Sequence, residues 1–101
     1  MKIRFAAIAR RELFAAADHY NGKRLGLGEQ FLTEVTRRIG QLKTVPGLGP
    51  IYREPARKLG LRRFPYSLIY EIRADGIIIH AVAHMRRRPL YWVRRMGTRS
   101  S

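Results

Sequence analysis

The sequence has no cysteine, few acidic residues and no long apolar run. The lack of cysteine excludes disulfide bonds, thiol catalysis and cysteine-ligated zinc, and it suits a reducing compartment. Charged residues interrupt the first eleven positions, where a signal peptide would need an apolar core. No segment approaches the roughly 20 apolar residues that a membrane-spanning helix needs. We therefore expect a cytoplasmic protein that does not enter a membrane.

Acidic residues are scarce beside basic ones: there are 7 against 21, which gives a formal net charge of +14. Seventeen of the basic residues are arginines and four are lysines. The arginine side chain presents a planar fork that suits paired contacts to phosphate or carboxylate groups. Mutual repulsion at this charge loosens a small domain, so a polyanionic partner would also stabilise it by mass action. The composition predicts a negatively charged partner.

The chain nevertheless has the apolar content of a folded protein. Its 101 residues are 46% hydrophobic and 10% aromatic, which is too apolar for a disordered basic tail. About 100 residues is the commonest size of one compact domain. We expect a single domain over residues 1–96, followed by a flexible tail over residues 97–101, where glycine, serine and threonine predominate.

The first half of the chain is typical of a strand followed by two helices. Residues 2–5 alternate polar and apolar side chains, and the next segment changes to helical spacing. Asn21-Gly22 supplies residue types that tolerate the left-handed conformation, so the first helix should end there, with a connection over residues 23–28. A second amphipathic helix should run to about Lys43. Two such helices joined by a short loop form a hairpin.

The second half is typical of antiparallel strands. Proline and glycine in residues 46–50 end the helical pattern. Strands are predicted over residues 57–64, 66–73 and 77–84, with a tight hairpin turn at Asp75-Gly76. The expected fold is α+β, in which an N-terminal strand and a two-helix hairpin pack on one face of an antiparallel sheet of about four strands.

The densest cluster of candidate functional residues directly follows the most hydrophobic predicted strand. It combines three consecutive arginines with two aromatic residues: Arg86, Arg87, Arg88, Tyr91 and Trp92. Arginine forks beside aromatic rings are typical of surfaces that hold phosphates and unstacked bases. The alternative is structural, with the two aromatic residues anchoring the C-terminal segment on the sheet and the arginines solvating its edge. Composition alone leaves both interpretations open.

A second basic cluster lies on the strand predicted over residues 57–64. It consists of Arg57, Lys58, Arg62 and Arg63. These side chains would add to the arginines after His84 if the two strands lie close together. A solvated sheet face is the alternative, although soluble domains usually intersperse both signs of charge and this half of the chain does not.

The histidines offer no clear metal site. His80 and His84 are four residues apart on a predicted strand, which would place them on one face about 13 Å apart, too far to share one ion. We expect neither a metal nor another cofactor. His84 is a candidate general acid or base, because an imidazole exchanges protons near neutral pH. The alternative is that His84 holds the following turn through a backbone hydrogen bond.

An ordered set of residues resembles the ParE branch of the RelE/ParE toxin superfamily. The set covers about residues 5–95 and begins with Glu12-Leu13, Ala16-Ala17, Tyr20, Leu27-Gly28, Phe31, Val35 and residues 46–50. It continues with Arg63-Phe64-Pro65-Tyr66, Tyr70, Ala81-Val82-Ala83-His84, Arg87, Pro89, Tyr91 and Trp92.

The resemblance implies a bacterial type II toxin of the plasmid-stabilisation type. Such a toxin inhibits growth when free and is neutralised by a small antitoxin, whose disordered, often acidic segment folds on it to form a hetero-oligomer. DNA gyrase is the target that the ParE branch implies, and members of this branch act by binding rather than by catalysis. The residues expected to bind antitoxin or target are Arg57, Lys58, Arg62, Arg63, Arg86, Arg87, Arg88, Tyr91 and Trp92.

Two other functions stay open at this point. A RelE-like toxin would be a metal-independent mRNA endonuclease that acts on the ribosome, and its catalytic set here would be His84, Arg87 and Tyr91, assisted by Arg63. RelE-like nucleases often use a lysine-rich strand, where this chain offers only Lys58. The third interpretation is a general basic module that binds nucleic acid, with an affinity that falls steeply as salt rises.

Overall fold

The structure is a computed structural model that describes residues 1–96. A mixed β-sheet forms the centre of this part of the chain. Its strands are β1 (Ile3–Phe5), β2 (Ile51–Arg53), β3 (Ala56–Gly60), β4 (Tyr66–Arg73) and β5 (Gly76–His84), in the spatial order β1-β5-β4-β3-β2. The helices α1 (Ala7–Lys23) and α2 (Leu27–Thr44) precede β2, and a 3₁₀ helix (Val93–Met96) follows β5. The predicted tail over residues 97–101 lies outside the described residues.

The α+β class and the helix hairpin on one sheet face are confirmed, but the sheet differs from the prediction in two ways. It has five strands within residues 1–96, and β1 runs parallel to β5, with Ile3 opposite Ile77 and Phe5 opposite Ile79. The other strand pairs are antiparallel. The fifth strand, β2, was missed because its three side chains are all exposed and give no alternating pattern.

Two predicted element ends were wrong. The first helix continues through Asn21-Gly22 to Lys23, and the glycine that turns the chain is Gly26, with φ of 90°. Asn21 instead holds the turn with its side chain, since Oδ1 accepts hydrogen bonds from the amides of Gly26 and Gly28 at 3.1 and 2.8 Å. Strand β3 ends at Gly60 rather than at residue 64, and the chain turns before β4 with Arg63 at a positive φ of 72°.

The core between the helices and the sheet is built from small residues on α1 and large residues opposite them. Ala16 and Ala17 of α1 share one buried cluster with Phe31 of α2, and Leu68 and Val82 of the sheet belong to the same cluster. Side chains alternate along β4, since Leu68 and Tyr70 face the helices whereas Ile69 faces the opposite side. The pattern of apolar positions therefore sets which face of the sheet the hairpin covers. Neither helix is long and apolar enough to cross a membrane.

The opposite face of the sheet is covered by residues 85–96, which we call the strap. Trp92 is only 2% exposed and packs against Ile69 and a floor of small side chains. These small side chains are Ala56, Ala81 and Ala83. Because alanines leave room for an indole, the sheet offers a seat for Trp92. This location favours the structural interpretation of Trp92 over an exposed stacking surface.

Replacing Trp92 with alanine should destabilise the domain by about 3 kcal/mol, since the substitution leaves a cavity under the sheet. Urea unfolding followed by circular dichroism measures this loss. Leu25→Ala is the matched control, because Leu25 is 92% exposed, and its effect should stay within about 0.5 kcal/mol. A Trp92→Ala loss below about 1 kcal/mol would show that the strap is not packed as described.

Candidate functional site

Two loops meet at one end of the sheet and bring together most of the predicted binding residues. The amide of Met85 donates to the carbonyl of Pro65 at 2.8 Å, and Tyr66 lies opposite His84 in the β4–β5 pair. The loops before β4 and after β5 are therefore neighbours. They carry the five arginines that we call the basic end: Arg62, Arg63, Arg86, Arg87 and Arg88. Strand β4 lies between the strands that carry the two clusters, so the clusters meet through these loops rather than through neighbouring strands.

The loop before β4 is fixed to α2 by a carboxylate. The amide of Arg62 donates to Glu34 at 2.6 Å, and Glu34 also accepts two hydrogen bonds from Arg37 at 2.8 and 3.0 Å. Arg63 reaches Gln30 at 2.9 Å from its left-handed backbone position. Burial raises the pKa of Glu34, but the hydrogen bonds from Arg37 and Arg62 outweigh burial and lower the pKa overall. Glu34 therefore stays charged and keeps the loop in place.

Arg57 and Lys58 do not join the basic end. The Arg57 guanidinium donates to the carbonyl oxygens of Gly47 and Gly49 at 3.3 and 2.9 Å, so it holds the loop after α2. Lys58 lies on the strap side of the sheet, with its Nζ 4.5 Å from the centre of the Tyr52 ring. The side chain of Arg57 thus has an intramolecular role, and Lys58 is the one predicted residue of this strand that faces a cavity.

A single carboxylate on α1 connects the helix layer, the sheet and the strap. Glu12 accepts hydrogen bonds from the amide of Val82 at 3.0 Å, from the Tyr91 hydroxyl at 2.8 Å, and from both terminal nitrogens of Arg95 at 2.9 Å. Arg95 also donates to the carbonyl of His80 at 3.2 Å. We call this group of contacts the Glu12 clamp.

The clamp lies where β5 has lost a strand neighbour. β1 pairs with β5 only as far as Ile79, and the amide of Ala6 donates a hydrogen bond to the Ile79 carbonyl at 2.9 Å. Beyond that point the carbonyl of His80 and the amide of Val82 face α1, and buried backbone groups without partners are costly. Arg95 supplies the missing donor for the His80 carbonyl, and Glu12 supplies the missing acceptor for the Val82 amide. The ion pair therefore completes the edge of the sheet.

The clamp changes the proton affinity of its members in opposite directions. Burial raises the pKa of Glu12, but the hydrogen bonds from Arg95, Val82 and Tyr91 outweigh burial and lower the pKa overall. Burial, together with the hydrogen bond to Glu12, raises the pKa of Tyr91 to about 12. At neutral pH the carboxylate is charged and the phenol keeps its proton.

Two arginines lie close to the ring of Tyr91. The guanidinium carbon of Arg87 lies 3.8 Å from the ring centre, and that of Arg95 lies 5.0 Å from it. Cations over an aromatic face are attracted by the ring quadrupole. Tyr91 thereby orients Arg87, which otherwise stands exposed on the loop after β5.

His84 and His80 lie on opposite faces of the sheet, which corrects the expectation that they share one. His80 is an extra residue in β5, because Ala81 pairs with Ile69 while Ile79 pairs with Tyr70. This β-bulge reverses the alternation beyond it. His80 contacts Glu71 at 2.9 Å, whereas the ring of His84 packs on Tyr66 with the ring centres 4.9 Å apart. His84 Nδ1 accepts a hydrogen bond from the amide of Arg86 at 2.9 Å, so it does hold the following turn.

Two cavities open beside His84. One, of about 70 Å³, lies between the sheet and the strap, and Lys58, Arg88 and Trp92 contribute to its lining. The other, of about 230 Å³, lies between α1 and the end of β5. We call it the α1–β5 cavity. Arg87 and His84 line both.

Comparison with known proteins agrees with this architecture. A family model described as the ParE toxin of the type II toxin-antitoxin system parDE matches residues 3–89. The chain belongs to the ParE toxin family. A solved structure described as the chromosomal ParDE TA system from P. aeruginosa has the same fold, with a TM-score of 0.69 and 24% identity over 85% of this chain and 97% of that chain. No curated protein sequence is significantly similar to the chain.

Three residues of this ParE toxin that line or brace the site were given no role from the sequence: Glu12, His19 and Arg95. The sequence did contain a signal that Glu12 has a structural partner. This residue directly precedes Leu13 on the apolar stripe of α1 in a chain with only 7 acidic residues, and a carboxylate beside a buried stripe needs a partner. Arg95 had no such signal, because it is one of 17 arginines and its partner is 83 residues away.

Replacing Glu12 with glutamine should destabilise this ParE toxin by about 2 kcal/mol, because Arg95 would keep a half-buried charge without a counterion. Chemical unfolding at neutral pH measures the loss. Glu54→Gln makes the same change at an exposed turn and should have an effect within about 0.5 kcal/mol. Equal effects of the two substitutions would contradict the structural importance of the clamp.

Stability should also fall as the solution becomes acidic. The pKa values of Glu12, Glu34 and Glu71 are lower in the folded protein than the ordinary value of 4.5. The unfolded chain therefore takes up protons first, so this stabilisation is complete above about pH 4.5 and is lost as the pH falls through the folded pKa values. Urea midpoints measured between neutral pH and pH 3 should show a shallower decline in Glu12→Gln. An identical decline would rule out a contribution from Glu12.

Proposed function

We propose that this ParE toxin binds an acidic antitoxin segment through its basic end and, when released, inhibits DNA gyrase by binding rather than by cleaving RNA. One observation carries the choice between binding and catalysis: the Tyr91 hydroxyl, the candidate proton donor of a nuclease, donates to Glu12 inside the clamp. The RelE-like set of His84, Arg87, Tyr91 and Arg63 is therefore partly used for structure.

The charge of the basic end supports a binding role. None of its five arginines forms a salt bridge within residues 1–96, whereas Arg37, Arg73 and Arg95 each do. Arginines that have no internal counterion and stand together attract an acidic partner and guide its approach. Their forks suit carboxylate groups in pairs of hydrogen bonds. An acidic segment that folds on the toxin would gain these contacts as it becomes ordered.

The protonation of the candidate nuclease residues argues against catalysis. A general acid transfers its proton best when its pKa lies near the working pH, and the pKa of Tyr91 is about 12. His84 uses Nδ1 to accept the amide of Arg86, which leaves only Nε2 for exchange. Arg63 contacts Gln30 of α2 rather than the other three residues. Two of the four candidate residues, Tyr91 and Arg63, are thus engaged in contacts within the domain.

Controlled expression in bacteria tests the proposal. Induction should arrest growth, gyrase-linked DNA breaks should accumulate, and transcripts on translating ribosomes should remain intact. Purified toxin should inhibit DNA supercoiling by gyrase, and addition of a cognate acidic antitoxin should restore it.

Other outcomes would support the alternatives. Cleaved transcripts that become intact in His84→Ala would establish the ribosome-dependent endonuclease instead. Tight binding to unrelated DNA duplexes that weakens steeply with salt, without growth arrest, would favour a general nucleic-acid-binding module.

A further inference from the structure

The α1–β5 cavity combines a basic wall with an apolar floor. Ala15, Ala16 and Val82 form apolar parts of its lining, and the polar lining comes from Glu12, His19, Tyr66, His84 and Arg87. Two alanines on consecutive positions of α1 leave the space that larger side chains would fill. The cavity therefore has the form of a socket for one side chain with a polar end.

The negative charge in this wall is already compensated. Both carboxylate oxygens of Glu12 are occupied by Val82, Tyr91 and Arg95, and Arg95 forms a salt bridge with it. Arg87 forms no salt bridge within residues 1–96 and is placed by its contact with the Tyr91 ring. The net charge available to a ligand is thus positive.

Neutral donors stand beside this cation. Because His84 Nδ1 accepts the amide of Arg86, the proton of a neutral His84 ring is on Nε2, which makes that atom a donor. Burial raises the pKa of Tyr66, so its hydroxyl also keeps its proton. A cation with two neutral donors is the arrangement that binds a carboxylate through charge-assisted hydrogen bonds.

The size of the cavity limits the ligand. Sites for cofactors and other ligands of similar size usually measure about 300–1,000 Å³, and this cavity measures about 230 Å³. An aliphatic stem with a carboxylate end fits such a volume, with its methylene groups on the alanines. A whole nucleotide is too large to be enclosed.

We propose that the α1–β5 cavity is a socket for the side-chain carboxylate of a glutamate or aspartate in the partner segment, held chiefly by Arg87 with His84 and Tyr66. This inference rests on the proposed function, since the partner is the acidic antitoxin segment. One side-chain carboxylate of that segment would enter the cavity, whereas the other arginines of the basic end would attract the segment electrostatically. The partner's backbone stays outside the cavity and only its side chain enters.

Titration of the full chain with three small probes tests the socket by NMR. N-acetylglutamate amide carries only the side-chain carboxylate, N-acetylglutamine carries only the main-chain carboxylate, and N-acetylglutamine amide carries neither. The ring signals of His84 and Tyr66 should shift and saturate with the first probe, with a dissociation constant in the millimolar range that is expected for so few contacts. The second probe should bind more weakly and the third should leave the signals unchanged.

Adjacent arginines provide the matched control. Arg87→Gln should weaken binding of N-acetylglutamate amide at least about tenfold, the loss expected for one charge-assisted contact. Arg86→Gln removes the same charge from the same loop, but Arg86 does not line the cavity, so its effect should stay within about twofold. Ala15→Leu fills the cavity without changing the charge and should weaken binding as strongly as Arg87→Gln.

Several results would overturn the socket. Equal shifts with all three probes would remove the role of the carboxylate, and equal losses in Arg86→Gln and Arg87→Gln would reduce the effect to general attraction. Tighter binding of N-acetylglutamine would assign the cavity to a chain terminus instead. Because these titrations use purified protein, probe binding without growth arrest would overturn the proposed function alone, and growth arrest without probe binding would overturn the socket alone.

Discussion

The Glu12 clamp is the contact on which the other features of this toxin depend. A single carboxylate satisfies the edge of β5, anchors Tyr91 and neutralises Arg95. Each of these groups would be costly to bury without it. Through the Tyr91 ring the same carboxylate also determines where Arg87 stands. The sheet edge and Arg87 therefore share one support, and Tyr91, which looks catalytic in the sequence, contributes to the stability of the domain.

The chain has a net charge of +14, and the placement of its acidic residues explains why the basic end has no internal counterion within residues 1–96. Glu12, Glu34 and Glu71 each form a salt bridge with an arginine of the same chain. Asp75 lies in the β4–β5 turn, at the opposite end of these strands from the basic end and about 25 Å away by strand rise. These four acidic residues thus serve internal structure or lie far from the basic end, whose arginines form no salt bridge within residues 1–96.

Sequence patterns were informative wherever neighbouring residues determine the structure. The helix hairpin and the β4–β5 turn were predicted because each depends on contacts within one or two elements. The parallel pairing of β1 and the Glu12–Arg95 contact join distant parts of the chain, and no local pattern encodes them. The bulge at His80 was invisible because one extra residue changes the face of a side chain without changing the composition of the strand. The sequence therefore indicated the arginines of the candidate site but not the Glu12 clamp.

The separation of 83 residues between Glu12 and Arg95 has a consequence for synthesis of the toxin. During translation α1 is made long before β5 and the strap, so Glu12 emerges without any of its partners. The sheet edge at His80 cannot be completed until Arg95 has left the ribosome. A ribosome that is still making this toxin thus carries an immature molecule, whose Glu12 clamp closes only as synthesis of the domain finishes.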